Sequence, residues 1–228
     1  MKDYRNILIQ DCQDDLVPIP LKHFSVQNPH PYKRLGAVYG NKSPYYLRSG
    51  VLKALQHVQD YLQIKYGGWK LHIFDAYRPI SVQQFMVDYT FSCLIKERKL
   101  ILRQLSILEK KELLDQVYKV WAIPSEDYTT PPPHSTGAAI DLTLVDSKGN
   151  LLDMGSEIDD LSEKSQPCYY YHNNNSKAIA YSQRREILNK VMSNYGFLRH
   201  PNEWWHFSLG DQIWAWQSNR KFAYYGRV

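Results

Sequence analysis

The segment HSTGAAIDLTLV, residues 134–145, holds the clearest structural signal in the chain. From Ala138 onward it is a short apolar run, with Gly137 before it and turn-forming residues 146–150 after it. Such a bounded apolar run predicts a buried strand. Asp141 lies within the run, where a carboxylate is costly to bury unless it is paired or bound to a metal. The segment therefore predicts a core strand that also carries a functional group.

Patterns on either side of this strand predict helices and further strands. Apolar residues recur at helical spacing over residues 47–62 and 179–195, ended by Gly67-Gly68 and by Gly196 at a C′ position. The remaining predictions are a strand over residues 69–74, one long helix or two joined by a bend over residues 80–121, and a hairpin of residues 197–199 with 203–209.

These elements together predict an α+β fold with a central, mostly antiparallel sheet flanked by helices. We expect a single domain over residues 1–228, because 228 residues with 43% hydrophobic content can bury one sizeable core. The proline-rich residues 1–45 are predicted to wrap around that core as loops and short strands, and residues 165–178 to form an exposed loop.

Composition excludes several classes of protein. The net charge of +5 comes from scattered Lys and Arg residues, so we expect no nucleic-acid partner. The chain has neither a signal-peptide pattern nor an apolar run of membrane-spanning length, which predicts a cytoplasmic protein without a membrane partner. Its three cysteines lie far apart and form no CxxC pair, so they are expected to be reduced and not to bind metal.

Four residues have the chemistry of a metal-dependent hydrolase. Catalytic zinc typically takes three protein ligands and leaves one position for water. His134, Asp141 and His206 would supply such ligands and leave Glu203 as a general base. Residues an odd number apart point to opposite faces of an ideal strand. His134 and Glu203 are therefore expected to lie off the regular strands, with Gly137 providing a kink near the first of them.

Three motifs in this order give the chain a family resemblance. They are DAYRP at residues 75–79, HSTGAAIDLTL at residues 134–144 with its H-x-x-G-x-A-x-D pattern, and EWWHF at residues 203–207. Together they resemble the zinc D-alanyl-D-alanine dipeptidases, the group that includes the vancomycin-resistance dipeptidase. The resemblance covers most of the chain from about Trp69 onward and is weaker over residues 1–45.

The resemblance implies an activity and a role for each residue. It implies hydrolysis of small D,D-dipeptides with one zinc ion per chain, held at the sheet by His134, Asp141 and His206. Glu203 resembles the family's catalytic base and Arg78 the group that stabilises the transition state. By the same resemblance, Asp159 receives the free amino group of the substrate.

Some alternatives stay open at this stage. Without the resemblance, Arg78 also fits a surface salt bridge, and Asp159 fits a helix N-cap or a solvated loop acid. Pro132 stands where the family usually has a serine two positions before the first histidine, which predicts that other small dipeptides such as D-Ala-D-Ser are also accepted. The other histidines away from the motifs, including His30 and His200, show no pattern that links them to a site.

Three other functions are compatible with the same residues. A zinc D,D-carboxypeptidase or a peptidoglycan stem-peptide endopeptidase would use the same metal site in an open groove, whereas a dipeptidase needs a blind pocket with an acid for the amino terminus. A non-catalytic zinc-binding module would lack the base or the oxyanion donor. The presence of both Glu203 and Arg78 favours an enzyme.

Overall fold

The computed structural model describes residues 4–228. This part of the chain contains six α-helices: α1 (Pro31–Arg34), α2 (Ser49–Lys65), α3 (Ile80–Glu97), α4 (Ile107–Val117), α5 (Ser176–Ser193) and α6 (Gln212–Gln217). Its strands are β1 (Leu8–Ile9), β2 (Leu16–Pro18), β3 (Ser25–Val26), β4 (Tyr46–Arg48), β5 (Lys70–Asp75), β6 (Ala139–Val145), β7 (Leu198–Arg199), β8 (His206–Ser208) and β9 (Phe222–Ala223).

The central sheet has five strands in the order β3-β5-β6-β8-β7. β3 pairs with β5 in parallel, and the other three pairings are antiparallel. Two small sheets, β1 with β9 and β2 with β4, lie outside it. This arrangement confirms the predicted α+β class with a mostly antiparallel sheet and flanking helices.

β6 is the middle strand, and all seven of its residues are buried. Ile140, Leu142 and Leu144 join the main hydrophobic cluster with apolar residues of α2 and α5. Because side chains alternate across a strand, Asp141 and Thr143 face the other side of the sheet. The core side of β6 therefore holds the strand in place, and its other side is available for polar groups.

The region predicted as one helix or two contains two, α3 and α4. The second begins with a capping box, in which the Ser106 side chain accepts from the Glu109 backbone N–H and the Glu109 side chain accepts from the Ser106 backbone N–H. This reciprocal pair satisfies two backbone donors that would otherwise lack partners. α3 and α4 enclose a second hydrophobic cluster that includes Tyr32 and Trp121.

Gly196 is at the C′ position of α5, as predicted. Its φ is 89°, its backbone N–H donates to the Ser193 carbonyl and the Phe197 N–H donates to the Met192 carbonyl, which are the two hydrogen bonds of a Schellman motif. One detail of the sequence prediction is wrong. The segment 165–178 is not wholly exposed, because Tyr170 is 8% exposed and its hydroxyl donates to the Gly155 carbonyl. Packing of this ring over the Arg185 guanidinium draws the segment onto the body of the protein.

The described helices do not include one that is long and apolar enough to cross a membrane. All three cysteines are free and exposed, in line with the expectation that they form no disulfide. The single domain over residues 1–228 stays a prediction, and residues 1–3 lie outside the described part of the chain.

Two glycines with nearly the same backbone conformation allow a matched stability test. Gly155 has φ of 85° and Gly149 has φ of 86°. A Cβ at Gly155 would lie 2.6 Å from ring atoms of Tyr170 and Tyr181, whereas a Cβ at Gly149 would meet nothing within 4 Å. We expect Gly149→Ala to lower the free energy of unfolding by about 1–2 kcal/mol through backbone strain alone. Gly155→Ala should lower it by about 1–3 kcal/mol more through overpacking. Denaturant unfolding measures both, and equal losses would contradict the packing around Gly155.

Candidate active site

All six residues singled out from the sequence line one cavity of about 190 Å³. It lies on the side of the central sheet that carries Asp141. The register of the sheet sets Asp75 beside Asp141 and Asp141 beside His206 on three adjacent strands. Neighbouring strands lie about 4.8 Å apart, so this alignment gathers the three polar side chains at one level of the sheet.

Two imidazoles and one carboxylate converge at the floor of the cavity. His134 Nε2 lies 3.2 Å from Asp141 Oδ2, and His206 Nδ1 lies 3.0 Å from Asp141 Oδ1. The two facing ring nitrogens are 3.2 Å apart. One potential ligand atom from each residue lies within 4.8 Å of the others, and all three residues are buried. Burial alone would raise the pKa of Asp141, but His134 and His206 hold it well below the ordinary value.

The ring of His134 is oriented by the backbone. Its Nδ1 lies 2.6 Å from the Ala76 carbonyl, which can only accept, so Nδ1 carries a proton. In the neutral ring the lone pair that a metal requires is therefore on Nε2, the atom nearest Asp141 and His206. This donor set suits a divalent transition metal such as zinc, which binds imidazole nitrogen and carboxylate oxygen at about 2.0–2.2 Å. Of the residues that the structure describes, only these three form such a group.

His134 and Glu203 lie off the regular strands, as predicted, and the local backbone geometry explains why. His134 is in a 3-10 turn, Pro133–Thr136, which ends at Gly137 with φ of 71°. A Cβ at Gly137 would lie 2.6 Å from Leu16 Cδ1 and 3.3 Å from the Arg48 backbone nitrogen, so glycine is required for both conformation and space. Glu203 precedes β8 in the connection from β7, which places its side chain at the end of the strand that carries His206.

Glu203 is buried beside the proposed ligands. Its Oε2 lies 3.7 Å from His206 Nδ1 and its Oε1 lies 3.5 Å from His200 Nδ1. Burial raises the pKa of Glu203 to about 8, with Asp141 adding to the rise and His206 opposing it. A carboxyl group with so high a pKa holds and releases a proton near neutral pH, which is the property a general acid–base group needs.

Arg78 is not a surface residue, which removes the alternative of a surface salt bridge. Its Nε donates to Asp75 Oδ2 at 2.8 Å and its Nη2 donates to Asp141 Oδ2 at 3.1 Å. The guanidinium also lies between the rings of Tyr32 and Trp121, at 5.0 and 4.9 Å from their centroids. These contacts fix the cation at the wall of the cavity next to the Asp141 carboxylate.

Asp159 faces the same cavity from a separate loop. Its backbone has φ of 67°, and its Oδ2 accepts a hydrogen bond of 2.8 Å from the Tyr32 hydroxyl. Burial raises the pKa of Asp159 to about 7, the nearby Asp141 charge raises it further, and Arg78 and the Tyr32 hydrogen bond oppose the rise. Because Asp159 precedes no helix, the alternative of a helix N-cap is removed.

Sequence reasoning missed several residues that support the cavity. His30 is buried, and its Nε2 lies 3.1 Å from Asp75 Oδ1 behind Arg78. His200 lines the cavity, and burial lowers its pKa to about 3 with His206 adding to the effect. No sequence pattern links either histidine to the site. His30 is 45 residues from Asp75, and His200 lies in the turn of the β7–β8 hairpin.

Pro132 lies at the edge of the site. Its carbonyl accepts from the backbone N–H and the hydroxyl of Ser135. Pro132 lines a neighbouring cavity of about 450 Å³ and not the cavity lined by His134, Asp141 and His206. The two cavities meet at a shared set of residues: Tyr4, Tyr118, Trp121 and Ala122. The effect of Pro132 on substrate range stays a prediction.

A hydrolase that uses a metal requires a three-ligand metal site and a base beside it. The cavity offers groups of both kinds on an α+β scaffold, so fold and site together indicate a metallohydrolase.

Comparison with known proteins narrows this class to a family. The model of the D-Ala-D-Ala dipeptidase family, peptidase family M15, matches residues 25–225. A D-alanyl-D-alanine dipeptidase of Synechocystis sp. is 48% identical over 240 aligned residues, which cover 100% of this chain and 97% of the relative. The D-alanyl-D-alanine dipeptidase of Enterococcus faecalis is 31% identical over 64% of each chain. The chain belongs to the D-Ala-D-Ala dipeptidase family.

The similarity to solved structures is more distant. A VanYB structure in complex with D-Ala-D-Ala is 12% identical, with a TM-score of 0.49 and coverage of 95% of this chain and 93% of that one. The LdcB LD-carboxypeptidase is 14% identical, with a TM-score of 0.48 and coverage of 96% and 84%.

The raised pKa values of the two cavity acids can be measured in the metal-free protein. We expect carboxyl carbon NMR to show two groups that titrate near pH 7 and pH 8. Asp159→Asn should remove the first transition and Glu203→Gln the second. Because the folded state then binds protons that the unfolded state releases, these groups should lower the free energy of unfolding as the pH rises from about 4 to 8. Titration of every carboxyl group below about pH 6 would contradict the burial of both acids.

Proposed function

We propose that this protein is a zinc-dependent dipeptidase that hydrolyses D-Ala-D-Ala and similar small D,D-dipeptides. One observation carries the proposal: three potential metal ligands, the buried Glu203, the half-buried Asp159 and an arginine line a single cavity of about 190 Å³ in a member of this family. Glu203 lies next to His206 and Asp159 next to Tyr32, so we assign the two acids different roles.

His134, Asp141 and His206 would hold one zinc ion per chain. When bound in such a site, zinc lowers the pKa of water toward about 7 and polarises a carbonyl group as a Lewis acid. The choice of zinc over magnesium or calcium rests on the two imidazole ligands, because those harder cations prefer oxygen ligands throughout.

Glu203 is proposed as the general base. Its carboxylate would take the proton of the attacking water and then deliver it to the leaving amine. Its position within 3.7 Å of the His206 ligand atom places it beside the reaction centre without making it a ligand. A bound cation would favour the ionised form of Glu203 and so prepare it to accept the proton.

Arg78 is proposed to stabilise the charge that develops on the carbonyl oxygen. A fixed donor aimed at a developing oxyanion is typically worth about 3–4 kcal/mol. The hydrogen bonds that the guanidinium donates to Asp75 and Asp141 hold it in place before substrate binds, so little reorganisation is needed. The presence of both Glu203 and Arg78 in the cavity argues against a non-catalytic zinc module.

Asp159 is proposed to bind the free ammonium group of the substrate. It lines this cavity but not the neighbouring one, and the Tyr32 hydroxyl donates to one of its oxygens. An acid in this position would select substrates with a free amino terminus. The adjoining cavity of about 450 Å³ is the observation that favours the second candidate, a D,D-carboxypeptidase or endopeptidase acting on longer wall peptides.

Glu203→Gln tests the base. We expect this variant to keep its zinc but to lose at least about 100-fold in kcat, because general acid–base help is typically worth 10² to 10⁴. The matched control is Glu157→Gln, the same substitution at an exposed glutamate, and it should retain wild-type activity. Metal analysis and steady-state rates give both quantities, and near-normal turnover of Glu203→Gln would assign the base elsewhere.

Comparison of substrates tests the role of Asp159. We expect kcat/KM for D-Ala-D-Ala to exceed that for its N-acetyl form and for a wall pentapeptide by orders of magnitude, because acylation leaves a buried carboxylate without its cation. Asp159→Asn should reduce that preference sharply, whereas Asp160→Asn should preserve it. Equal or faster cleavage of the acetylated dipeptide or the pentapeptide by the wild type would favour the carboxypeptidase or endopeptidase instead.

A further inference from the structure

Two buried polar residues lie behind the ligand His206 on the side away from the cavity. Ser208 Oγ is 3.4 Å from His206 Nε2 and donates to Asp211 Oδ2 at 2.7 Å. Ser208 is fully buried and Asp211 is 1% exposed. The other carboxylate oxygen of Asp211 accepts from the Trp214 backbone N–H at 2.8 Å, which fixes the carboxylate at the start of α6.

This chain of hydrogen bonds has a direction. A serine hydroxyl has one hydrogen, and that of Ser208 is given to the carboxylate of Asp211. Toward His206 the hydroxyl can then only accept, so this contact favours the imidazole tautomer with its proton on Nε2. The Asp141 carboxylate, 3.0 Å from Nδ1, favours the other tautomer until a metal lies between the two groups. With the proton on Nε2, the lone pair is on Nδ1, the atom that faces Asp141 and His134.

We propose that Ser208 and Asp211 are positioning residues that hold His206 in the tautomer able to bind the metal through Nδ1. The inference rests on the proposed zinc site. It is distinct from the role of Asp211 as the N-cap of α6, because the cap uses Oδ1 and the chain to His206 uses Oδ2. Partners of this kind behind a metal-binding histidine typically change metal affinity about 10- to 100-fold when they are removed.

Asp211→Asn separates the two roles because it reverses the chain while keeping the cap. The amide oxygen can still accept from Trp214, which leaves the amide NH₂ to donate to Ser208. The serine hydrogen is then turned toward His206 Nε2, which favours the tautomer with the proton on Nδ1. In that tautomer the lone pair is on Nε2, so Nδ1 has none to offer the metal. Ser208→Ala removes the chain without reversing it, so its effect on the tautomer should be smaller.

The test is the zinc dissociation constant, measured by competition with a chromophoric chelator, for the wild type, Ser208→Ala, Asp211→Asn and the double variant. We expect Asp211→Asn to bind zinc about 10- to 100-fold more weakly than the wild type. The double variant should bind at least about threefold more tightly than Asp211→Asn, because the reversed donor has been removed. Asp146→Asn, a turn acid whose oxygens accept from residues 148 and 150, controls for loss of a charge and should bind zinc like the wild type.

The outcomes separate this inference from the proposed function. A wild-type protein that binds no zinc would overturn both. Wild-type zinc affinity in Asp211→Asn, or a double variant that binds zinc no more tightly than Asp211→Asn, would overturn the positioning role alone. Loss of charge or packing cannot be relieved by a second deletion.

Thermal unfolding of the metal-free variants shows whether each one folds. If Asp211→Asn does not fold, Ser208→Ala decides the question, and a zinc affinity within about twofold of the wild type would overturn the inference.

Discussion

The burial of the Asp141 carboxylate in the middle strand of the sheet is the constraint on which the rest of the site depends. An ionised carboxylate in an apolar setting is expensive unless partners compensate it. Here His134 and His206 lie within about 3.2 Å of its oxygens, and Arg78 donates to Oδ2. Each of these partners comes from a different part of the chain, so the need to pair one charge draws separate elements to one level of the sheet.

Charge balance around the cavity also favours a cation. Asp141, Asp159 and Glu203 line it, and Asp75 lies behind Arg78. In the described part of the chain, Arg78 is the one guanidinium among these four acids. Burial and the neighbouring negative charges raise the pKa values of Asp159 and Glu203. A divalent ion at the floor of the cavity would relieve this excess and favour ionised forms of both acids. The acids proposed as base and as ammonium receptor would then be ready for their tasks.

Sequence alone predicted those parts of the molecule whose signals are local. The apolar run of β6, the strand β5 and the hairpin before α6 are patterned over a few residues, and the structure contains all of them. The break between α3 and α4 had a local signal too, because Ser106 and Glu109 have capping-box spacing. The family motifs contain five of the six site residues, the wider resemblance adds Asp159, and the structure places all six around one cavity.

What the sequence did not give is the network that holds these residues. His30, Tyr32 and Tyr39 reach Asp75 or Arg78 across 45, 46 and 36 residues, and such pairings depend on tertiary packing. The same is true of Tyr170, whose polar surroundings in the sequence hide a ring packed on Arg185. Local polarity predicts exposure only until a distant element covers the segment.

The most direct measurement of the central claim is X-ray absorption at the zinc edge of the zinc-loaded protein. We expect a first coordination shell of nitrogen and oxygen at about 2.0–2.2 Å, with the multiple-scattering signature of two imidazoles. That signature should fall to one imidazole in His134→Ala and in His206→Ala. Sulfur at about 2.3 Å, or an imidazole count that neither substitution changes, would contradict a metal site built around Asp141.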